Sequence, residues 1–215
     1  GNWYLVRNGS GGDLLDRAET DKDRVRVLLQ RYGVLFRELL THESKPMAWS
    51  NLFRTMRLME LSGEIVGGHF FEGVPGLQFA SPSALRRLKS GLNDNPVYCL
   101  NAADPASLCG VDVPDLKEML PERYPSTYLV FHGRLLVIIA RKRGSDLEIR
   151  VEPESPDLPG YIEALRGPTR RSFNPRGSVK VRTVNGETAS EGPYGPILEK
   201  CGFVKDYQGY SLWAV

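Results

Sequence analysis

Between Ala164 and Gly186 the chain carries Arg166, Arg170, Arg171, Arg176, Lys180 and Arg182 and no carboxylate. Such a run can neutralise several phosphates, the sequence-independent part of nucleic-acid binding. Phe173 lies inside it, a ring on which an unstacked base can rest. The competing reading of the run is a solvated loop and strand face. Ser50, Arg54 and Arg57 form a second arrangement at i, i+4 and i+7, one line on a helix. A hydroxyl and two guanidinium groups in line suit phosphate and base-edge contacts. Two carboxylates, Asp104 and Asp206, are candidates for base excision, which needs a group that stabilises positive charge at a sugar or directs a water. Asp104 precedes Pro105, however, a setting in which aspartate is commonly a turn former.

Other chemistry is excluded by spacing. No G-x-x-x-x-G-K-[ST] loop occurs, and Gly9-Ser10-Gly11-Gly12 lacks the lysine that would reach a phosphate. His42, His69 and His132 lack metal-ligand spacing, and there is no G-x-S-x-G elbow. Cys99, Cys109 and Cys201 contain no C-x-x-C pair, so neither a disulfide framework nor a four-cysteine zinc site is expected. No cofactor or metal is expected in this chain, and it is no ATPase on its own.

The 215 residues, 41% hydrophobic and 25% charged, suit one large or two small globular domains. The longest apolar run, Leu135 to Ala140, is too short to cross a bilayer, and no secretory leader is visible. A reducing, cytoplasmic setting is therefore expected. Net charge is only +2, but it is uneven: −1 over residues 1–20, +4 over 21–93, −5 over 94–163 and +4 over 164–215.

The elements that must position these side chains follow from periodicity. Asn2 to Arg7 reads as a strand, and Gly9 to Gly12 as a turn or linker. From Asp21 the spacing of Val25, Leu28, Leu29 and Tyr32 predicts an amphipathic helix, with Thr20 as N-cap and Gly33 as its stop. A second short helix is expected over 35–44. A third is expected over 47–61, with Leu52, Met56 and Met59 inward. Two β-segments, 65–71 and 77–80, flank the turn 72–76. Three helices followed by a β-hairpin is the order of a winged helix, whose third helix is the usual groove reader. A further helix runs from Ser81 to Ser90, with Arg86, Arg87 and Lys89 outward. Leu92-Asn93-Asp94-Asn95-Pro96 is a breaker cluster and marks the domain boundary.

Beyond it the pattern is mostly β. Strands are expected at 97–100, 128–131, 134–140, 147–151, 179–184, 203–206 and 210–213, with short helices at 161–166 and 196–201. His132-Gly133 and Asn185-Gly186 have hairpin chemistry. The fold class is therefore α+β. A leading strand and linker (1–20) precede a winged-helix domain (21–92) and a small β-barrel-like domain (93–215).

Several blocks resemble, in order, the C-terminal end of the bacterial large helicase-related (Lhr) family of superfamily-2 DNA helicases. Gly1-Asn2-Trp3-Tyr4-Leu5 resembles its G-R-W-S-L opening, and Leu28-Leu29-Gln30-Arg31-Tyr32-Gly33-Val34 its L-L-x-R-[YH]-G-V helix. Gly68-His69-Phe70-Phe71-Glu72-Gly73, then Gln78-Phe79-Ala80, resembles G-Y-F-V-E-G…A-Q-F-A. Ala103-Asp104-Pro105-Ala106-Ser107-Leu108-Cys109-Gly110 resembles T-D-P-A-N-P-Y-G, and the hairpin at His132-Gly133 resembles V-L-V-D-G-x-L-V-L-Y. Val184-Asn185-Gly186-Glu187, then Pro196 to Phe203, resembles I-N-G-E…P-L-A-E-A-L-x-x-A-G-F.

The resemblance implies a non-ATPase nucleic-acid-binding or assembly module of a DNA-repair helicase, with ATP and Mg confined to the upstream helicase core. Implied partners are single-stranded or duplex DNA, the upstream helicase domains and a second copy of the chain. The family's C-terminal arrangement is also similar to a DNA glycosylase group that unhooks crosslinks. That group's Gln-x-Gln or Gln-x-Asp pair is missing here: Gln30, Gln78 and Gln208 are followed two residues on by Tyr32, Ala80 and Tyr210. The family's E-R-G-G becomes Arg141-Lys142-Arg143-Gly144, a base in place of an acid. Glycosylase-like action on uracil or an alkylated base and a purely structural docking role are the alternatives.

Overall fold

The computed structural model describes residues 13–166 and 178–213. The chain divides into two compact units between Gly91 and Leu92.

In the first unit, α1 (Leu14–Tyr32) packs Val25, Leu28 and Leu29 inward and ends at Gly33, whose φ of 75° suits a residue without Cβ. It starts earlier than the spacing predicts, so residues 14–20 are helix rather than linker. Asp13 is the cap, its carboxylate accepting from Leu14 N. Thr20 lies inside the helix instead, its hydroxyl donating back to the Asp16 carbonyl at 2.8 Å. The expected strand 2–7 and turn 9–12 lie outside the described residues.

The predicted second helix divides. Val34–Leu35 forms a short strand, β1, and only Glu38–His42 turns as a 3₁₀ segment. Tertiary pairing decides this, because β1 lies antiparallel to the segment Gln78–Ala80, with Leu35 opposite Phe79. α2 (Trp49–Leu61) buries Leu52, Met56 and Met59, the expected face. Burying a side chain of this kind is worth about 1.5–3 kcal/mol. β2 (Val66–Gly68) and β3 (Gln78–Ala80) pair antiparallel, and β3 lies in the middle of the order β1-β3-β2. α3 (Pro82–Ser90) follows, capped by Ser81 Oγ, which accepts from Ala84 N at 3.1 Å. The helix–strand–turn–helix–hairpin order with that sheet is a winged helix.

The second unit is α+β. Its strands are β4 (Val97–Asn101), β5 (Tyr128–His132), β6 (Leu135–Arg141), β7 (Asp146–Ile149), β8 (Ser178–Val181), β9 (Thr183–Val184), β10 (Glu187–Thr188), β11 (Val204–Asp206) and β12 (Gly209–Trp213). Six of them pair in the order β10-β9-β7-β6-β5-β4, and the other three in the order β11-β12-β8. Among the described residues these are two open sheets, and no closed barrel is found. The strand predicted over 179–184 breaks at Arg182, where the chain passes from one sheet to the other. There the Arg182 N–H donates to Ser145 O at 2.8 Å, and its carbonyl accepts from Ala189 N at 2.8 Å.

A short helix, α4 (Pro114–Met119), has no counterpart in the periodicity. Both sheets share one core with α5 (Leu158–Ala164) and α6 (Gly195–Lys200), through Val130, Ile138, Leu158, Ile162, Leu198 and Leu212. On its other face the larger sheet packs Leu129, Leu136 and Ile139 against Ala102 and Cys109. Burial on both faces explains the unbroken apolar run of β6.

Candidate nucleic-acid interface

The buried positions of α2 set its outer face. Ser50, Arg54 and Arg57 all point away from Leu52, Met56 and Met59 and are exposed. Arg57 pairs with Glu60, one turn on, whereas Arg54 makes no ion pair among the described residues. Phe53, 39% exposed, continues this face. Its ring also joins Trp49 and Phe79 at centroid distances of 5.6 and 6.1 Å, which anchors the helix to the sheet.

The β2–β3 wing is held from within by Gln78, which is fully buried. Its Oε1 accepts from Phe70 N and Phe71 N at 2.9 and 3.0 Å, and its Nε2 donates to Phe71 O and Val74 O at 3.0 and 3.3 Å. The wing carries exposed His69 and Phe71. α3 exposes Arg86, Arg87 and Lys89. A groove of about 570 Å³ runs past Arg26, Arg31, Arg87 and Ser83. Arg26 is bound there by Glu64 and Asp23, and Arg31 by Glu43, which leaves these two cations internally neutralised.

In the second unit, Arg170, Arg171, Phe173 and Arg176 lie outside the described residues. Arg166 is a structural post: its Nη2 donates to the Cys201 carbonyl at 2.5 Å and its Nε meets Glu163 at 2.9 Å, tying α5 to the end of α6. Lys180 and Arg182 are exposed. Arg182 Nη2 donates to Gln208 Oε1 at 2.8 Å.

Both candidate carboxylates have structural partners. Asp104 Oδ1 accepts from Ala106 N at 2.9 Å, an Asx turn. Its loop is gripped by Arg123, whose guanidinium donates to the carbonyls of Ala103, Asp104, Ser107 and Cys109. Asp206 accepts from Ser211 Oγ at 2.5 Å and from Gln208 N at 2.8 Å. The Ser211 hydroxyl first, then the Gln208 N–H and the nearby Lys180 and Arg182, hold its carboxyl below the ordinary value. An apolar cleft of about 270 Å³, between Tyr98, Leu100, Leu108, Met119 and Phe131, has Arg134 as its single charged lining residue. No carboxylate is among its lining residues. Sequence reading missed the exposed aromatics Tyr207 and Trp213. The alternation in Gly209-Tyr210-Ser211-Leu212-Trp213 was the signal that could have found Trp213.

The first unit's strand order and the exposed face of α2 before the hairpin define a winged-helix domain, and the whole chain is an α+β protein. Residues 15–98 match the family model described as large helicase-related protein, winged-helix domain. Over an alignment of 222 positions, 96% of this chain is 29% identical to the Lhr helicase/uracil glycosylase of Escherichia coli (strain K12), covering 14% of that protein. Over 94 positions, 40% of this chain is 33% identical to the Lhr helicase/probable uracil glycosylase of Mycolicibacterium smegmatis (strain ATCC 700084 / mc(2)155), covering 6% of it. Together these matches support a likeness to a C-terminal region of Lhr proteins. A winged-helix domain of a helicase family is the mark of a nucleic-acid-binding, helicase-associated module. No helix among the described residues is long and apolar enough to cross a membrane.

Proposed function

We propose that the chain is a DNA-binding module of a larger bacterial, cytoplasmic helicase that acts in DNA repair, with α2 as its duplex-facing helix. The observation that carries this is the exposed line Ser50, Arg54 and Arg57 on α2, the helix that precedes the hairpin of a winged helix. Arg54 is the main phosphate contact, since Arg57 already has Glu60. The cations of 170–182 add a second, sequence-independent contact, with Lys180, Arg182 and the run Arg170, Arg171 and Arg176 its members. ATP and Mg belong to the upstream helicase core, which is also the partner in the same chain.

Alanine at Arg54 and Arg57 tests the first contact. Affinity should fall about equally on unrelated sequences, with the salt slope reduced by about one for each phosphate that is no longer neutralised. Unchanged affinity removes α2 from the interface. Alanine at Arg170, Arg171 and Arg176 tests the second contact in the same way.

A second reading, removal of uracil from DNA, is favoured by the names that the two relatives carry. Asp104 and Asp206 are its candidate carboxylates, and the bonds each makes within its own turn count against it. Incubation with uracil-bearing oligonucleotides followed by alkaline cleavage decides the matter, intact strands removing this reading.

A further inference from the structure

The three-stranded sheet of the second unit packs one face on the core; its other face is exposed at Lys180, Val204 and Trp213, while Ser211 in the middle strand is 3% exposed. Tyr210 and Leu212 of β12, with Val179 and Val181 opposite them on β8, alternate into the core. The residues between them form a cross-strand row on the other face. Lys180 stands opposite Ser211, with Val204 on Ser211's other side, and Trp213 opposite Ser178 is the next pair along. Trp213 is 62% exposed, and Tyr207, in the β11–β12 turn, is wholly exposed. The bond from Arg182 to Gln208 places that guanidinium beside the turn that carries Tyr207. From Gly209 to Trp213 the strand covers about 13 Å, so the face runs indole, ammonium, guanidinium, phenol along its length.

A large indole standing in water near two cations, with Val204 (61% exposed) as the aliphatic member of the row, is unlike the apolar centre of a protein-binding patch. Charge complementarity points instead to an anionic partner that has flat rings of its own. The carboxylate within these strands, Asp206, is engaged by Ser211 and Gln208 and lies near Lys180 and Arg182 without an ion pair among the described residues, so it offsets one of the two cations and leaves the row positive.

We propose that this face is a stacking platform for single-stranded nucleic acid. Trp213 and Tyr207 each take the face of a base, while Lys180 and Arg182 meet the phosphates between. Aromatic stacking of this kind is tolerant of sequence, and it requires unpaired bases because those in a duplex already cover one another. The proposal rests on the nucleic-acid reading above for its two cations and adds the strand preference and the two rings.

The test uses the whole chain, a labelled oligo-dT strand and a labelled duplex at low salt, with folding of each variant checked by circular dichroism. Trp213→Ala and Tyr207→Ala should each weaken oligo-dT binding about fivefold or more, Trp213→Phe should stay within about twofold of the parent, and duplex affinity should not change. Tyr207 lies fully exposed in a turn, so its variant keeps the test intact if Trp213→Ala fails to fold. Parental oligo-dT affinity in Tyr207→Ala and in any folded Trp213→Ala overturns the proposal, as does equal loss on single strand and duplex. Self-association of the parent that Trp213→Ala abolishes, with oligo-dT binding untouched, overturns it in favour of a second copy. Loss of duplex binding in the Arg54 and Arg57 variants concerns α2 alone, so the platform and the winged-helix reading fail separately.

Discussion

The side-chain amide of Gln78 pairs with the backbone of Phe71 as a neighbouring strand would. It accepts from the Phe71 N–H at 3.0 Å and donates to the Phe71 carbonyl at 3.0 Å. The wing bends away from β3 after Gly68, and the glutamine supplies the ladder bonds that the backbone no longer makes. A fully buried amide with four hydrogen bonds is therefore a structural device in the wing.

Gln78→Ala should destabilise the first unit by about 1–3 kcal/mol, since it strands backbone groups of Phe70, Phe71 and Val74. Urea unfolding followed by tryptophan fluorescence measures this through Trp49. A midpoint equal to that of the parent would show that water replaces the amide at no cost.

Arg123 holds the Asp104 loop through four carbonyls, with donor distances of 2.8 to 3.4 Å. Arg123→Ala should cost about 1–3 kcal/mol, and Arg123→Lys should recover little of it because an ammonium lacks the planar fork. Limited proteolysis should open the segment 103–110 in both variants. Protection equal to the parent's would contradict the clamp.

Arg166 separates structure from binding within the basic run. Arg166→Ala removes the tie between α5 and α6 and should lower stability by about 1–3 kcal/mol, with the salt dependence of DNA binding unchanged. Thermal denaturation beside a salt titration reads both. A reduced salt slope at normal stability would place Arg166 on phosphate instead.

Acid tests the hydrogen bonds of Asp206. Its carboxyl is held low in the folded protein, so it titrates there at a lower pH than in the unfolded chain. Its contribution is complete above the unfolded value of about 3.9 and is lost as pH falls through the folded one. Asp206→Asn should therefore be less stable than the parent at neutral pH and converge with it in strong acid. Chemical denaturation at several pH values measures the gap, and a constant gap would contradict the depressed ionisation.

How much of the fold is legible in the sequence varies with the physics of each segment. α2 can be read because Leu52, Met56 and Met59 repeat at helical spacing and all three are buried. The first turns of α1 cannot, since Leu14 and Leu15 are 79% and 74% exposed and leave no periodic apolar signal. β1 is two residues long and exists because β3 pairs with it, information that lies 44 residues away at Phe79. α4 buries no residue and so shows no stripe. The turn at Asn185-Gly186 is readable from its two residue types, and both have positive φ, 52° and 85°. Of the candidate site, the line on α2 follows from periodicity. The fate of Arg166 does not, because its partners Glu163 and Cys201 belong to two different helical segments.

The central claim is that this chain engages nucleic acid. Titration of the parent chain into labelled single-stranded and duplex DNA at low and moderate salt tests it most directly. The account predicts micromolar or tighter binding that weakens steeply as salt rises, because bound cations release counterions from phosphate. No binding at low salt would contradict it and would turn these basic faces toward protein.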